Sequence, residues 1–97
     1  MKKKQKFIVR CDLAGVFFGE IEKIDGNQVV MNNVRKLWYW NGACAVEQLA
    51  VDGTCRPYDC KFTVHVPTMT VLDPAQIIPC SDKAVASIEG VEEWRRD

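Results

Sequence analysis

The dipeptide Asp25-Gly26 lies between two stretches rich in β-branched and aromatic residues. Glycine readily takes the positive φ angles of a tight two-residue turn, so this pair between alternating flanks is a strong hairpin signal. Phe17 to Ile24 are therefore predicted to form one strand, and the residues after Gly26 to form its antiparallel partner. Any fold of this chain has to accommodate that hairpin.

Other segments also alternate between apolar and polar residues as strands do. They are residues 7–12, 34–40, 61–66, 68–72 and 75–79. Asn32-Asn33 tolerates left-handed geometry, so a bulge or turn is expected before the 34–40 strand.

Two segments have helical spacing instead. Residues 43–50 form the first predicted helix, ended by Gly53. Ser81 is the predicted N-cap of the second, DKAVASIE, which ends at Gly90 and buries Ala84, Val85 and Ile88. Trp94 is expected to pack back on the domain. Together these elements predict an α+β fold: a mostly antiparallel curved sheet of about five to seven short strands with two short helices.

The chain has 97 residues, which suits a single domain. Its net charge is zero, although five of its thirteen basic residues occur in the first ten positions. We therefore expect a flexible basic arm over residues 1–6 and one α+β domain over residues 7–97. Without a basic excess in the domain, a nucleic-acid partner is not expected.

The chain has no uninterrupted apolar run of the length that a signal peptide or a membrane span needs. A cytoplasmic protein without membrane association is therefore predicted. Its five cysteines are then expected to be reduced.

The segment VRKLWYW places three large rings beside an Arg-Lys pair. Strict strand alternation puts Trp38 and Trp40 with Lys36 on one face, and Tyr39 with Arg35 on the other. Burial of each ring would stabilise the protein by about 1.5–3 kcal/mol, so core or subunit interface is one interpretation. The other is a ligand surface, because bases stack on aromatic rings while Arg or Lys binds phosphate. These five residues are the predicted ligand- or partner-binding set.

Cys55, Cys60 and His65 form a C-x4-C-x4-H pattern that invites a zinc interpretation. Structural zinc sites usually bring two close ligand pairs together, and the second pair is missing here. His65 also has no acidic partner within its predicted strand. We therefore predict no catalytic residues, no metal ligands and no cofactor, with a small zinc-binding module as a minor alternative.

Three stretches, AGVFFGEI at 14–21, NVRKLWYWNGACAVEQLAVDG at 33–53 and AQIIPCSDKA at 75–84, together resemble a group of small proteins encoded by bacteriophages and prophages that have no assigned function. The resemblance implies a phage gene product made in the cytoplasm of a bacterial host. It brings no catalytic residues with it.

The expected function is that of a non-enzymatic accessory protein that acts by binding. Its partner would be a host or phage protein, or a nucleotide-like small ligand sequestered in counter-defence. A structural or assembly component of the phage particle is the alternative. A homo-oligomer is expected, because a chain this short has a limited core of its own.

Overall fold

The computed structural model describes residues 4–96, which form an α+β fold with a curved antiparallel sheet of six strands and two helices, as predicted. The strands are β1 (Phe7–Cys11), β2 (Gly15–Asp25), β3 (Gln28–Tyr39), β4 (Lys61–Phe62), β5 (Val66–Leu72) and β6 (Pro74–Pro79). The helices are α1 (Val46–Asp52) and α2 (Asp82–Glu89), and Pro57–Asp59 form a 3-10 turn.

The predicted hairpin is confirmed as the β2–β3 pair. Asp25 pairs with Gln28, so the two turn residues are Gly26 and Asn27. Gly26 has a φ of 60°, which glycine adopts without a steric penalty.

Strand β3 passes through Asn32 and Asn33 without ending, and the predicted irregularity there is a bulge. Asn33 has a φ of 48°, and the pairing between β2 and β3 shifts at this point. A bulge adds one residue to a strand and so changes which face the following side chains occupy. Met31 and Leu37 therefore belong to different apolar clusters, although regular alternation would place both on one face of the strand.

Gly19 of β2 lies against this bulge. A Cβ atom at Gly19 would lie 2.9 Å from the Cα of Val34 and 3.0 Å from the carbonyl oxygen of Asn32. Both are main-chain atoms, which cannot move aside as the end of a flexible side chain can. Glycine is required here because the bulged backbone of β3 comes so close.

One bent segment, β5 followed by β6, connects two sides of the sheet. β5 pairs with β3 and β6 pairs with β1, with only Asp73 between them. The Asp73 N–H donates to the carbonyl of Asn27 (2.8 Å), and its own carbonyl accepts from the N–H of Asp12 (3.2 Å). Since β2 lies between β1 and β3 in the strand order, this short bridge requires the sheet to curl.

The curled sheet carries an apolar cluster on each face. The helix-side cluster packs α1 and α2 on the sheet and comprises Ile8, Phe18, Leu37, Leu49, Ala50, Phe62, Cys80, Ala84, Ile88 and Val91. The inner cluster comes from strands alone and comprises Val9, Cys11, Phe17, Val29, Met31, Val34 and Val71.

The strand predicted over residues 61–66 is wrong. Only Lys61 and Phe62 pair with β3 there, and the chain leaves the sheet before β5 begins at Val66. Thr63 replaces regular pairing, because its hydroxyl accepts from the N–H of Lys36 (2.8 Å) and its own N–H donates to the Lys36 carbonyl (3.0 Å). Pro67, which separates the predicted 61–66 and 68–72 strands, lies inside β5.

The second helix forms as predicted. The Ser81 hydroxyl accepts from the N–H of Ala84 (3.0 Å), and α2 ends at Gly90. Ala84 and Ile88 are buried, while Val85 is partly exposed. The first helix begins at Val46, three residues later than predicted.

Residues 1–3 of the predicted basic arm lie outside the described residues. Gln5 donates to the carbonyl of Cys80 (2.9 Å), and the carbonyl of Lys6 accepts from the Cys80 N–H (2.9 Å). Lys6 also forms an ion pair with Glu20 (3.6 Å). Residues 5 and 6 are thus in contact with the domain.

Candidate functional site

Arg35, predicted on a ligand surface, is fully buried. Its guanidinium donates to four main-chain carbonyls: Nε to Thr63 (3.0 Å), Nη1 to Ile88 (3.0 Å) and Val91 (2.9 Å), and Nη2 to Phe62 (3.2 Å). Arg35 therefore links β3 to Phe62 and Thr63 at the end of β4 and to the end of α2. It has no exposed surface to offer a ligand.

The Arg35 charge is buried without a direct ion pair in residues 4–96. Burial lowers the pKa of Arg35 from its ordinary value, and the negative charges of Glu89 and Glu93 oppose that change. An arginine side chain stays protonated in proteins. The four carbonyl dipoles thus take the place of water around this cation.

Lys36 and Trp40, two more members of the predicted binding set, do not lie with the exposed aromatic rings at the end of β3. The Lys36 ammonium is over the ring of Phe17, 5.9 Å from its centroid. Trp40 packs against the helix-side cluster, as Leu37 does. The expected grouping of Trp40 with Trp38 is therefore wrong, because the β3–β4 pairing shifts after Leu37 and breaks the alternation.

Trp38 is the centre of the surface that remains. Its ring stacks on that of Trp94, with centroids 4.8 Å apart and planes inclined by 29°. The two side chains are 54% and 45% exposed, respectively. The Nζ atom of Lys61 lies 5.5 Å from each ring centroid. Trp94 thus packs back on the domain as predicted, yet both indoles stay half in solvent.

Two tyrosines extend this surface. Tyr39 is 48% exposed and Tyr58 is 98% exposed. An open groove of about 540 Å³ is lined by Tyr39, Asn41, Arg56, Tyr58, Asp59, Cys60, Lys61 and Trp94. We call Trp38, Tyr39, Tyr58, Lys61 and Trp94 the aromatic surface.

Only some of the charged side chains along this surface form ion pairs. Arg56 forms an ion pair with Asp59 (3.3 Å), and Arg95 forms one with Glu93 (2.9 Å). Lys61 has no carboxylate partner within the described part of the chain. Its exposed ammonium therefore lies beside the two indoles without an ion pair to any described residue.

His65 attaches the segment that carries Trp94. Its ring Nδ1 lies 2.8 Å from the Glu93 carboxylate, its backbone N–H donates to the same oxygen (3.0 Å), and its Nε2 lies 3.2 Å from Glu89. The Trp94 N–H donates to the carbonyl of Phe62 (2.8 Å). Both acidic partners of His65 thus come from outside its predicted strand, where local spacing could not indicate them.

Acid is expected to weaken this attachment. Hydrogen bonds from the ring and the backbone of His65 lower the pKa of Glu93 from 4.5 to about 2. Because the folded-state pKa is the lower one, the ionised carboxylate stabilises the fold fully above about pH 4.5 and progressively less as the pH falls toward 2. Denaturant unfolding across this interval should show a smaller loss for Glu93→Gln than for the wild type.

The control is Glu92→Gln, since the Glu92 side chain makes no hydrogen bond to residues 4–96. It should lose stability with acid as the wild type does. Equal pH dependence in the wild type and Glu93→Gln would show that this contact does not stabilise the fold.

All five cysteines are free. Burial raises the pKa of Cys80 to about 11, so that its thiol stays protonated in the helix-side cluster. No group of three or more His, Cys, Asp or Glu side chains in residues 4–96 is placed to hold a metal ion. Likewise, no helix within that range is long and apolar enough to cross a membrane.

Fold and site together define a small α+β domain that presents exposed aromatic rings around a lysine. The chain belongs to the family described as a domain of unknown function (DUF6948), whose model matches residues 4–88. That range includes Trp38, Tyr58 and Lys61 and ends before Trp94. No curated protein and no solved structure matches the chain significantly.

Of the aromatic surface, the predicted binding set contains Trp38 and Tyr39 but not Tyr58, Lys61 or Trp94. Lys61 joins the surface because β4 pairs with the end of β3. Helix α1 and the 3-10 turn separate these strands in the sequence. No local sequence pattern indicates such a long-range pairing, so residue spacing could not predict that Lys61 lies beside Trp38.

Proposed function

We propose that this protein is non-enzymatic and acts by binding a partner through the aromatic surface. The observation that carries the proposal is the pair of stacked indoles, Trp38 and Trp94, each about half exposed. Leaving such rings in water forgoes part of the roughly 1.5–3 kcal/mol that burial of each would bring. A partner that covers them recovers this free energy on binding.

The surrounding structure supports a binding role because it holds the rings in place before any partner arrives. Arg35 donates to Val91, and His65 contacts Glu93, on the segment that leads to Trp94. Fixing side chains in advance reduces the entropy that binding must overcome. Trp and Tyr are also the residues most often responsible for binding energy at protein interfaces.

The phage or prophage setting implied by the sequence resemblance is part of the proposal. In that setting, the partner would be a host protein or a nucleotide-type ligand whose sequestration serves counter-defence. Binding alone would suffice for such a role, since the captured partner would be removed from the host.

Affinity capture from a bacterial lysate tests the proposal. The tagged wild type is compared with Trp38→Ala and Trp94→Ala, and retained proteins and small molecules are identified by mass spectrometry. A specific partner should be retained by the wild type and lost in both variants. The matched control is Ile24→Ala, which removes an exposed apolar side chain near the β2–β3 turn.

Circular dichroism of each variant shows whether it is folded, and Trp94→Leu, which removes the ring but keeps an apolar side chain, replaces Trp94→Ala if the alanine variant is not. A partner retained equally by the wild type and by folded tryptophan variants would place binding elsewhere. Loss of the same partner in Ile24→Ala would also contradict a specific role for the indoles.

A further inference from the structure

We infer that the aromatic surface binds a phosphate that carries a nucleobase, with the base against the Trp38–Trp94 pair and the phosphate at Lys61. The inference rests on the proposed function and names the chemical class of the partner. Two sources share this chemistry, free nucleotides and single-stranded nucleic acid.

The stacked pair supplies the site for the base. Each indole has one face against the other ring, and both side chains remain about half exposed. The exposed part of each ring offers apolar area on which a planar base can stack. Stacking of a base on an aromatic side chain contributes roughly 1–3 kcal/mol and accepts any base.

Lys61 supplies the charge. Its ammonium lies beside both rings, is exposed, and has no carboxylate partner in residues 4–96. An uncharged apolar partner would remove water from this cation without supplying a hydrogen-bond acceptor or an opposite charge. Such desolvation of a charge costs free energy. A planar ligand with an anionic group satisfies both the rings and the lysine, so charge complementarity favours it over an apolar peptide.

The groove offers further contacts of the same kind. The Asn41 side-chain oxygen accepts from the N–H of Gly42 (2.9 Å), while its amide NH2 makes no hydrogen bond within the described residues. A free amide group can donate to the edge of a base. Tyr39 and Tyr58 line the same groove and provide two more rings. A ligand longer than one nucleotide would find stacking positions along it.

Quenching of tryptophan fluorescence at low ionic strength tests the inference, because a stacked base changes the emission of Trp38 and Trp94. Four probes are titrated: a nucleoside monophosphate, the same nucleoside, ribose phosphate, and a short single-stranded oligonucleotide. The monophosphate or the oligonucleotide should quench saturably. The nucleoside should bind about tenfold more weakly or worse, because it lacks the charge-assisted contact to Lys61.

Substitutions test whether Lys61 contacts the phosphate and whether Trp38 contacts the base. Lys61→Gln should weaken binding by about tenfold or more and reduce its dependence on salt. Trp38→Ala should weaken it to a similar extent through loss of the stack. Lys83→Gln is the matched control, since Lys83 is an exposed lysine of α2 paired with Asp52 and should leave affinity unchanged.

The probe that binds identifies the source: quenching by the monophosphate indicates a free nucleotide, and quenching by the oligonucleotide alone indicates a single strand. Equal affinity in Lys61→Gln and the wild type would overturn the inference. So would an absence of quenching by every probe at millimolar concentration. If affinity capture still yields a protein that depends on Trp38 and Trp94, the binding proposal stands and only the ligand class is wrong.

Discussion

Arg35→Ala is expected to lower the free energy of unfolding by about 3–5 kcal/mol. The substitution leaves a cavity and removes the donors that satisfy four carbonyls. Small domains have about 5–15 kcal/mol of stability in total, so the variant should be close to unfolding at ambient temperature. Urea denaturation followed by circular dichroism measures the change.

Two controls distinguish the loss of the Arg35 hydrogen bonds from the loss of a positive charge and from the effect of removing any arginine side chain. Arg35→Lys retains the positive charge, but a single ammonium cannot reach four acceptors as a guanidinium does, so an intermediate loss is expected. Arg10→Ala removes an exposed arginine whose Nε donates to Gln76 (2.6 Å), and it should cost less than about 1 kcal/mol. A loss below 1 kcal/mol in Arg35→Ala would mean that this network contributes little to stability.

Gly19→Ala is expected to cost about 1–3 kcal/mol, toward the upper end of that range. The added Cβ would meet main-chain atoms of Val34 and Asn32 at 2.9 and 3.0 Å, so the bulge in β3 would have to shift. The shift would disturb the pairing of Phe18 with Arg35 next to it. Thermal and urea unfolding report the loss of stability.

Gly26→Asn is the matched control for Gly19→Ala. Gly26 also lies in the β2–β3 hairpin, but a Cβ there would meet no atom within 4 Å. Asparagine tolerates the positive φ of this turn better than other residues do. The control should therefore change stability by less than about 1 kcal/mol, and a larger loss there than in Gly19→Ala would contradict the steric explanation.

The sequence was sufficient for the parts of the fold that depend on local chemistry. Gly26 supplies a turn geometry, and Ser81 caps α2 through a hydrogen bond to Ala84 only three residues away. Such signals need no knowledge of distant residues. They identified the hairpin, the second helix and the α+β class.

Side-chain orientation along β3 could not be predicted in the same way. Alternation assumes a regular strand, but β3 has a bulge at Asn33 and a second shift in pairing after Leu37. The first places Arg35 on the helix side of the sheet, where it donates to Ile88 and Val91. The second places Trp40 there as well. Each bulge depends on a neighbouring strand, so neither face could be assigned from β3 alone.

The aromatic surface was predicted in part for a related reason. Trp38 and Tyr39 stand out because they lie in a run of aromatic residues. Trp94 and Tyr58 are isolated rings in the sequence, and Lys61 is one of several lysines. They join the surface through long-range contacts that local patterns do not reveal.

The Arg35 network also has a consequence for how much variation this region of the chain can accept. Every acceptor is a main-chain carbonyl, and a carbonyl is present whatever side chain the residue carries. Exchanging Thr63 or Val91 therefore leaves these hydrogen bonds available, although it alters other contacts of those side chains. These four hydrogen bonds thus depend on one side chain, that of Arg35, and the four residues that accept them need no matching substitutions.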